Sequence, residues 1–217
     1  NTVKKKFKET DFVFEHQVKT ILDTLNQLNE KQVQSIYGTT PDKAVVLHHN
    51  NLTIFDSECS MAIERYTGVV FQHLDWKSLD SSPQNYINQH LRIISGLFGI
   101  LKPDTLIPNY KLKMNVLSLT AFWQSYISNH IKNEELILDL LPAIHRKTIN
   151  IEKNIVKINF MVNKNGRLVQ SAHAGKVVKG KFIRFLAQNN VHQLKDIKYF
   201  EYEGYKWNGE IFIKNGQ

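Results

Sequence analysis

The spacing of apolar residues changes period once along this chain, and that change limits what it can fold into. Through the first two thirds the large apolar side chains recur every three or four residues. Val18, Ile21, Leu22, Leu25 and Leu28 predict a helix over 15–28. Asn29 is a favourable N-cap, so a second helix runs to Ile36 and stops before Gly38. Ile87, Leu91, Ile94, Phe98 and Leu101 are spaced by four, three, four and three residues, after a start signal at Ser82-Pro83. They predict an amphipathic helix that ends in a glycine-punctuated turn, Lys102 and the stop at Pro103. Pro103 and Pro108 then impose an extended link. Ser118 caps a helix through Trp123 to Ile131, and residues 134–141 add a helical turn or two before Pro142. Ala44 to Leu47 reads as a short strand, and 57–65 as a weak helix.

The last third alternates instead. Ile155 to Val162 is β-branched and alternating, Asn165-Gly166 is a hairpin turn, and Leu168 to Ala172 returns as a strand. A helix follows from Val178 to Asn189, with Val178, Phe182, Phe185 and Leu186 on one face. Tyr199 to Tyr202 and Glu210 to Ile213 close as strands, with a turn at Asn208-Gly209. No repeat or low-complexity linker interrupts the pattern. The 217 residues therefore read as one mixed α/β domain of the α+β class. It is expected to hold N-terminal helices, a helix-hairpin-helix-like element, and a C-terminal β-hairpin plus helix.

Several classes are set aside by composition. No window approaches the roughly 20 apolar residues of a membrane span. The start, Asn1 to Lys8, has a basic cluster with no apolar run behind it, so no signal peptide is read there. A chain opening without Met reads as trimmed, with a leading segment removed. The single cysteine, Cys59, excludes an internal disulfide and fits a reducing cytoplasm. No basic residue lies closer to it than Arg65, so nothing in the sequence argues for a reactive thiolate there. Charge is the more pointed feature. Lys and Arg total 28 against 20 Asp and Glu, a net +8 and a pI near 9.4, which favours polyanionic partners.

Two constellations place that charge. Gly96 and Gly99 bracket two large apolar residues, and Lys102, Lys111 and Lys113 follow. In helix-hairpin-helix modules such a turn offers backbone N–H groups to a DNA phosphate. Here the glycines are spaced by three rather than two, and close packing of helices explains them equally well. Further on, Gly175 and Gly180 flank Lys176 and Lys179 near an expected helix start, with Lys181 and Arg184 three apart on one face. A helix N-terminus with nearby lysines attracts anions; a solvated basic face is the plainer reading. The nine histidines carry no metal-ligand spacing: His48-His49 are placed on opposite faces of a strand. No metal and no cofactor is expected. Trp76, Trp123 and Trp207 are expected to serve packing.

With these residues in view, the chain resembles the YaaA peroxide stress protein family. Tyr66-Thr67-Gly68 matches one block. His90-Leu91-Arg92 and Ser95-Gly96-Leu97-Phe98-Gly99-Ile100-Leu101-Lys102-Pro103, on to Pro108, Tyr110, Leu112 and Met114, match a second without a gap. Asn165-Gly166, Lys176, Gly180, Arg184-Phe185 and Glu203-Gly204-Tyr205 follow in the family's order. The resemblance runs from about residue 60 onward. The family's opening strand ending in Ser-Pro-Ala-Lys is absent, and Phe122-Trp123-Gln124 stands where members have Phe-Trp-Gly. Around Asp139-Leu140-Leu141-Pro142 and Gly175 to Gly180 other family motifs are altered.

The resemblance implies a cytoplasmic protein of the oxidative stress response that limits iron-dependent damage. It also implies DNA binding through a basic cleft and a helix-hairpin-helix element at Gly96–Gly99. The expected partner is double-stranded DNA, read with little sequence preference, and no membrane. The expected contacts are Gly96, Gly99, Lys102, Lys111, Lys113, Lys176, Lys179, Lys181 and Arg184. The rival expectation is an enzyme holding a small phosphorylated or nucleotide substrate at Lys176–Arg184. Direct iron sequestration lacks the ligand spacing it would need.

Overall fold

A computed structural model of the chain describes residues 3–7, 12–170 and 173–216. In chain order the elements are β1 (Val3–Lys6), α1 (Glu15–Asn26), α2 (Glu30–Tyr37), α3 (Pro41–Leu52), β2 (Glu58–Met61), α4 (Ala62–Arg65), α5 (Val69–Leu74) and α6 (Ser81–His90). Next come β3 (Ile93–Ser95), β4 (Gly99–Leu101), β5 (Leu106–Pro108), α7 (Leu119–Ile131), β6 (Ile137–Asp139) and α8 (Ala143–Arg146). The chain closes with β7 (Ile155–Lys157), β8 (Phe160–Lys164), β9 (Arg167–Val169), α9 (Ala174–Gln188), β10 (Lys206–Trp207) and β11 (Phe212–Asn215). The fold is mixed α+β. Among the described residues no helix is long and apolar enough to cross a membrane.

These elements gather into two compact units. The first holds residues 1–65, 92–135 and 141–153; the second holds 66–91, 136–140 and 154–217. Each is discontinuous in sequence, so no linker composition marks it.

In the first unit β2 lies between β1 and β5, antiparallel to both. The capping box at α2 is complete: Asn29 Oδ1 accepts from the Gln32 amide at 3.1 Å, and Gln32 Oε1 accepts from the Asn29 amide at 2.9 Å. Gly38, at φ +57°, terminates that helix as expected. Residues 44–47, expected as a strand, instead lie in α3. Pro41 at the first helical position starts it, and Ala44 and Asn51 turn inward. Val45 and Val46, whose branching favoured the strand reading, are 58 % and 57 % exposed on the helix surface. Residues 57–65 divide into β2 and the single turn of α4.

The largest correction falls on Leu91–Pro103. The helix stops at His90, and the block folds as an antiparallel β-hairpin with Ile93 opposite Leu101, Ile94 opposite Ile100 and Ser95 opposite Gly99. No helix-hairpin-helix forms there. Ile93, Leu97, Phe98, Ile100 and Leu101 are all buried, so the run has no polar face from which to tell its period. Gly99 takes φ +71°, a conformation that closes a three-residue hairpin loop and breaks a helix. The hairpin seats on α7, whose Leu119, Trp123, Ile127 and Ile131 are buried at a spacing of four. Trp123 Nε1 donates to the Gly96 carbonyl at 2.9 Å. A Cβ on Gly99 would lie 2.6 Å from the same indole, and one on Gly96 would lie 2.6 Å from the Leu112 carbonyl oxygen.

In the second unit β11 pairs parallel with β8, which pairs antiparallel with β9. Asn165 (φ +50°) and Gly166 (φ +81°) make the expected two-residue turn between β8 and β9. The part of that returning strand at Ser171-Ala172 lies outside the described residues. β6 pairs parallel with β7, so 137–139 is a strand rather than a helical turn. Tyr199 ends a 3₁₀ segment, Leu194–Tyr199, and only a single bridge joins Tyr202 to Tyr205. A strand over 199–202 is therefore corrected. Asn208-Gly209 does turn the chain between β10 and β11.

α9 is the axis of this unit. Phe182, Val178 and Leu186 pack with Phe160, Phe200, Tyr205 and Phe212 in one core. α9 also lies so close to α5 that a Cβ on Gly180 would stand 2.3 Å from the Val70 carbonyl oxygen. Gly175, earlier on the same helix, has nothing within 4 Å of where its Cβ would stand. Two identical substitutions on α9 thus have opposite signs. Gly175→Ala stabilises by about 0.5–1 kcal/mol through helix propensity. Gly180→Ala destabilises by roughly 1–3 kcal/mol through overpacking. Chemical denaturation of both variants checks the pair.

Candidate nucleic-acid interface

Lys111 and Lys113 occupy the segment that follows β5. Buried Leu112 and Met114 alternate with them, so both lysines stand on one exposed side. Asn51, wholly buried on α3, fixes their register. Its Nδ2 donates to the Lys111 carbonyl at 2.9 Å, and its Oδ1 accepts from the Lys111 amide at 3.0 Å. Nδ2 also donates to the Tyr37 hydroxyl at 2.8 Å, and that hydroxyl lies 3.5 Å from His48 Nδ1. Burial pushes the Tyr37 phenol up to about 12, against a smaller lowering by Asn51. Burial also holds His48 below its ordinary value. The clamp is therefore uncharged near neutral pH, and the positive charge here belongs to the lysines. Lys113 Nζ sits 3.5 Å from where a Cβ on Gly38 would stand, at the C-terminal end of α2, where the helix dipole favours a cation. Lys102 is exposed on the turn between β4 and β5.

Gly96 and Gly99 do not join this surface. Both are buried, and the loop amides between them are already used. Leu97 and Phe98 donate to Ser95 Oγ at 3.2 and 3.0 Å, and Ser95 Oγ pairs with the Tyr110 hydroxyl at 2.7 Å. The glycines serve packing against Trp123 and Leu112, so their expected role as phosphate contacts is corrected.

The cations of α9 also divide. The helix begins at Ala174, earlier than the expected Val178, so Lys176 lies inside its first turn. Advancing about 100° per residue, Lys176 and Lys179 fall on one side, and Lys181 and Arg184 on another. Lys179 Nζ donates to the Leu140 carbonyl at 2.6 Å. Arg184 caps the end of α5: its Nη1 donates to the carbonyls of Leu74 and Asp75 at 3.0 Å and to Ser78 Oγ at 2.8 Å, with Asp75 Oδ2 at 3.8 Å. Asp75 stands at φ +51°, so Arg184 satisfies the carbonyls of a helix that ends in a left-handed residue. It is a structural cap, and this corrects its expected place at an anion site. Lys176 is exposed and Lys181 half-buried.

Among the described residues no group of three or more His, Cys, Asp and Glu side chains could hold a metal ion. His48 and His49 lie on helix α3 rather than on a strand. Cys59 is buried in β2. Trp76 and Trp123 are buried, and Trp207 packs on the aromatic core, as expected of packing residues.

A family model described as peroxide stress protein YaaA matches residues 1–211. The chain belongs to that family. A UPF0246 protein of Finegoldia magna is 28 % identical over 228 residues, which cover 98 % of this chain and 93 % of the relative. One from Rickettsia bellii is 31 % identical over 205 residues, covering 86 % and 82 %. Another, from Rickettsia conorii, is 29 % identical over 215 residues, covering 90 % and 87 %.

In this YaaA-family chain the Tyr37–His48–Asn51 clamp was not legible beforehand, because its parts lie on two helices and a distant segment. Its titration is a check. Tyr37 has a folded pKa above its unfolded value of about 10, so its contribution is complete below pH 10 and is lost as pH rises toward about 12. His48, depressed, contributes above its unfolded value of about 6.5 and less as pH falls. Urea denaturation between pH 10 and 12 should show the parent chain losing stability more steeply than Tyr37→Phe. Equal slopes would contradict the clamp.

Proposed function

We propose that this chain is a cytoplasmic protein of the peroxide stress response that binds double-stranded DNA through phosphate contacts and helps limit iron-dependent damage to it. The observation that carries the reading is the lysine pair at 111 and 113. Two exposed cations share one side of a segment whose backbone is held by a buried asparagine. Among the described residues, none of Lys102, Lys111, Lys113, Lys176 and Lys181 is paired with a carboxylate. Each unit presents its own unneutralised cations, and the net +8 gives the chain a long-range attraction for a polyanion. Contacts of this kind position a duplex without reading bases, which supports little sequence preference.

The rival reading, a small phosphorylated substrate held along Lys176–Arg184, calls for cations that converge. Arg184 and Lys179 donate to protein carbonyls, and Lys176 and Lys181 stand on different sides of α9. The DNA reading is the better supported.

Fluorescence anisotropy with a scrambled-sequence duplex across ionic strength tests it. Binding should weaken linearly in log–log form, by about 0.9 of slope per phosphate neutralised. The double variant Lys111→Ala, Lys113→Ala should reduce the slope by roughly 2. Salt-independent binding, or none, would sink the proposal.

A further inference from the structure

β9 is an outer strand of the second unit's sheet, whose order is β10-β11-β8-β9. Every residue from Lys164 to Gln170 is exposed, so β9 is covered on neither face. Its register with β8 is fixed: Val162 stands opposite Val169, Asn163 opposite Leu168, and Lys164 opposite Arg167. The Asn163 side chain holds the turn, its Oδ1 accepting from the Gly166 amide at 2.9 Å. The ladder between β8 and β11 ends at Asn163, so the turn extends beyond it. Two cations therefore face each other across the tip. Side chains so paired share one face with Cβ atoms about 5 Å apart, and like charges there destabilise a hairpin.

The fold does nothing to relieve that repulsion. Among the described residues neither Lys164 nor Arg167 pairs with a carboxylate. None of the four strands of the sheet carries Asp or Glu. The chain holds none at all from Lys153 to Lys195. Guarding a sheet edge against unwanted pairing is the plainer use of such charge. That use needs a charge on the outer strand alone, and a glutamate opposite Arg167 would serve it while attracting its neighbour. Two unneutralised cations on one face of an exposed turn suit an anion supplied from outside.

Resting on the DNA reading above, we propose that this hairpin tip is a second phosphate-binding element, with Lys164 and Arg167 gripping the backbone of a DNA duplex. The turn is fixed before binding, so little ordering is lost in making the contact. Lys164 supplies a compact charge, and Arg167 can offer two parallel N–H groups to phosphate oxygens. Such contacts orient the duplex and read no bases. The sequence analysis saw Asn165-Gly166 only as a turn, because Lys164 and Arg167 become a pair through the register of the strands.

Anisotropy titrations of the full chain with the same scrambled duplex, across ionic strength, test the assignment. The double variant Lys164→Gln, Arg167→Gln should lower the log–log salt slope by roughly 2. The exchange Lys164→Arg, Arg167→Lys should keep it. Arg167→Glu separates binding from structure. It should raise the urea midpoint, because attraction replaces repulsion across the strands, and yet weaken DNA binding by about tenfold. A slope unmoved by the glutamine pair but lowered by Lys111→Ala, Lys113→Ala would overturn this assignment and leave the DNA reading standing. No binding by the parent chain would overturn both. A concentration-dependent mass in sedimentation of the DNA-free chain, lost in Leu168→Lys, would give β9 to a second copy and overturn the assignment as well.

Discussion

The closeness of α9 to α5 sets the second unit, and it depends on a missing Cβ at Gly180. With the Val70 carbonyl only 2.3 Å from where that atom would stand, the two helix backbones are in direct contact. α9 then has little free surface: Val178, Phe182 and Leu186 enter the aromatic core, and Arg184 is drawn onto the carbonyls that end α5. The same principle works in the first unit. Gly96 and Gly99 leave room for the Leu112 backbone and the Trp123 indole, and the hairpin docks where a side chain would have held it off. These glycines bring backbone close to a neighbouring backbone at 96 and 180 and to an indole ring at 99.

This division separates two kinds of cation. Arg184 and Lys179 are committed to carbonyl oxygens, and removing either would expose polar groups that the fold had satisfied. Lys102, Lys111 and Lys113 neutralise no carboxylate among the described residues. Their positions are nonetheless fixed, because Asn51 and the alternating burial of Leu112 and Met114 leave the segment one register. Exposed charge on a fixed backbone is what non-specific phosphate binding needs.

Local chemistry was legible wherever it acts over a few residues. Asn29 with Gln32 spelled out a capping box, Asn165-Gly166 a two-residue turn, and the four-residue spacing from Leu119 to Ile131 a helix. Legibility failed where a residue's partner is distant. Ile93–Leu101 is buried at every position but the half-buried Ile94, so its spacing fits a helix as well as a hairpin. Ile137–Asp139 becomes a strand only by pairing with Ile155–Lys157. The role of Arg184 lies in a left-handed Asp75 more than a hundred residues earlier, and that of Asn51 in a backbone sixty residues on. Charge, by contrast, was visible from the start, though not which cations the fold would consume. Family membership is legible too, in the Leu91–Pro103 block itself, since the identity of residues carries it whatever secondary structure they adopt.

The central claim is that exposed lysines, rather than the glycine hairpin, meet the phosphates. Lysine acetylation footprinting with mass spectrometry, with and without saturating duplex DNA, addresses it most directly. The account predicts strong labelling at Lys102, Lys111 and Lys113 in the free chain and protection of these three when DNA is bound. Unchanged labelling at all three in a DNA complex would contradict it.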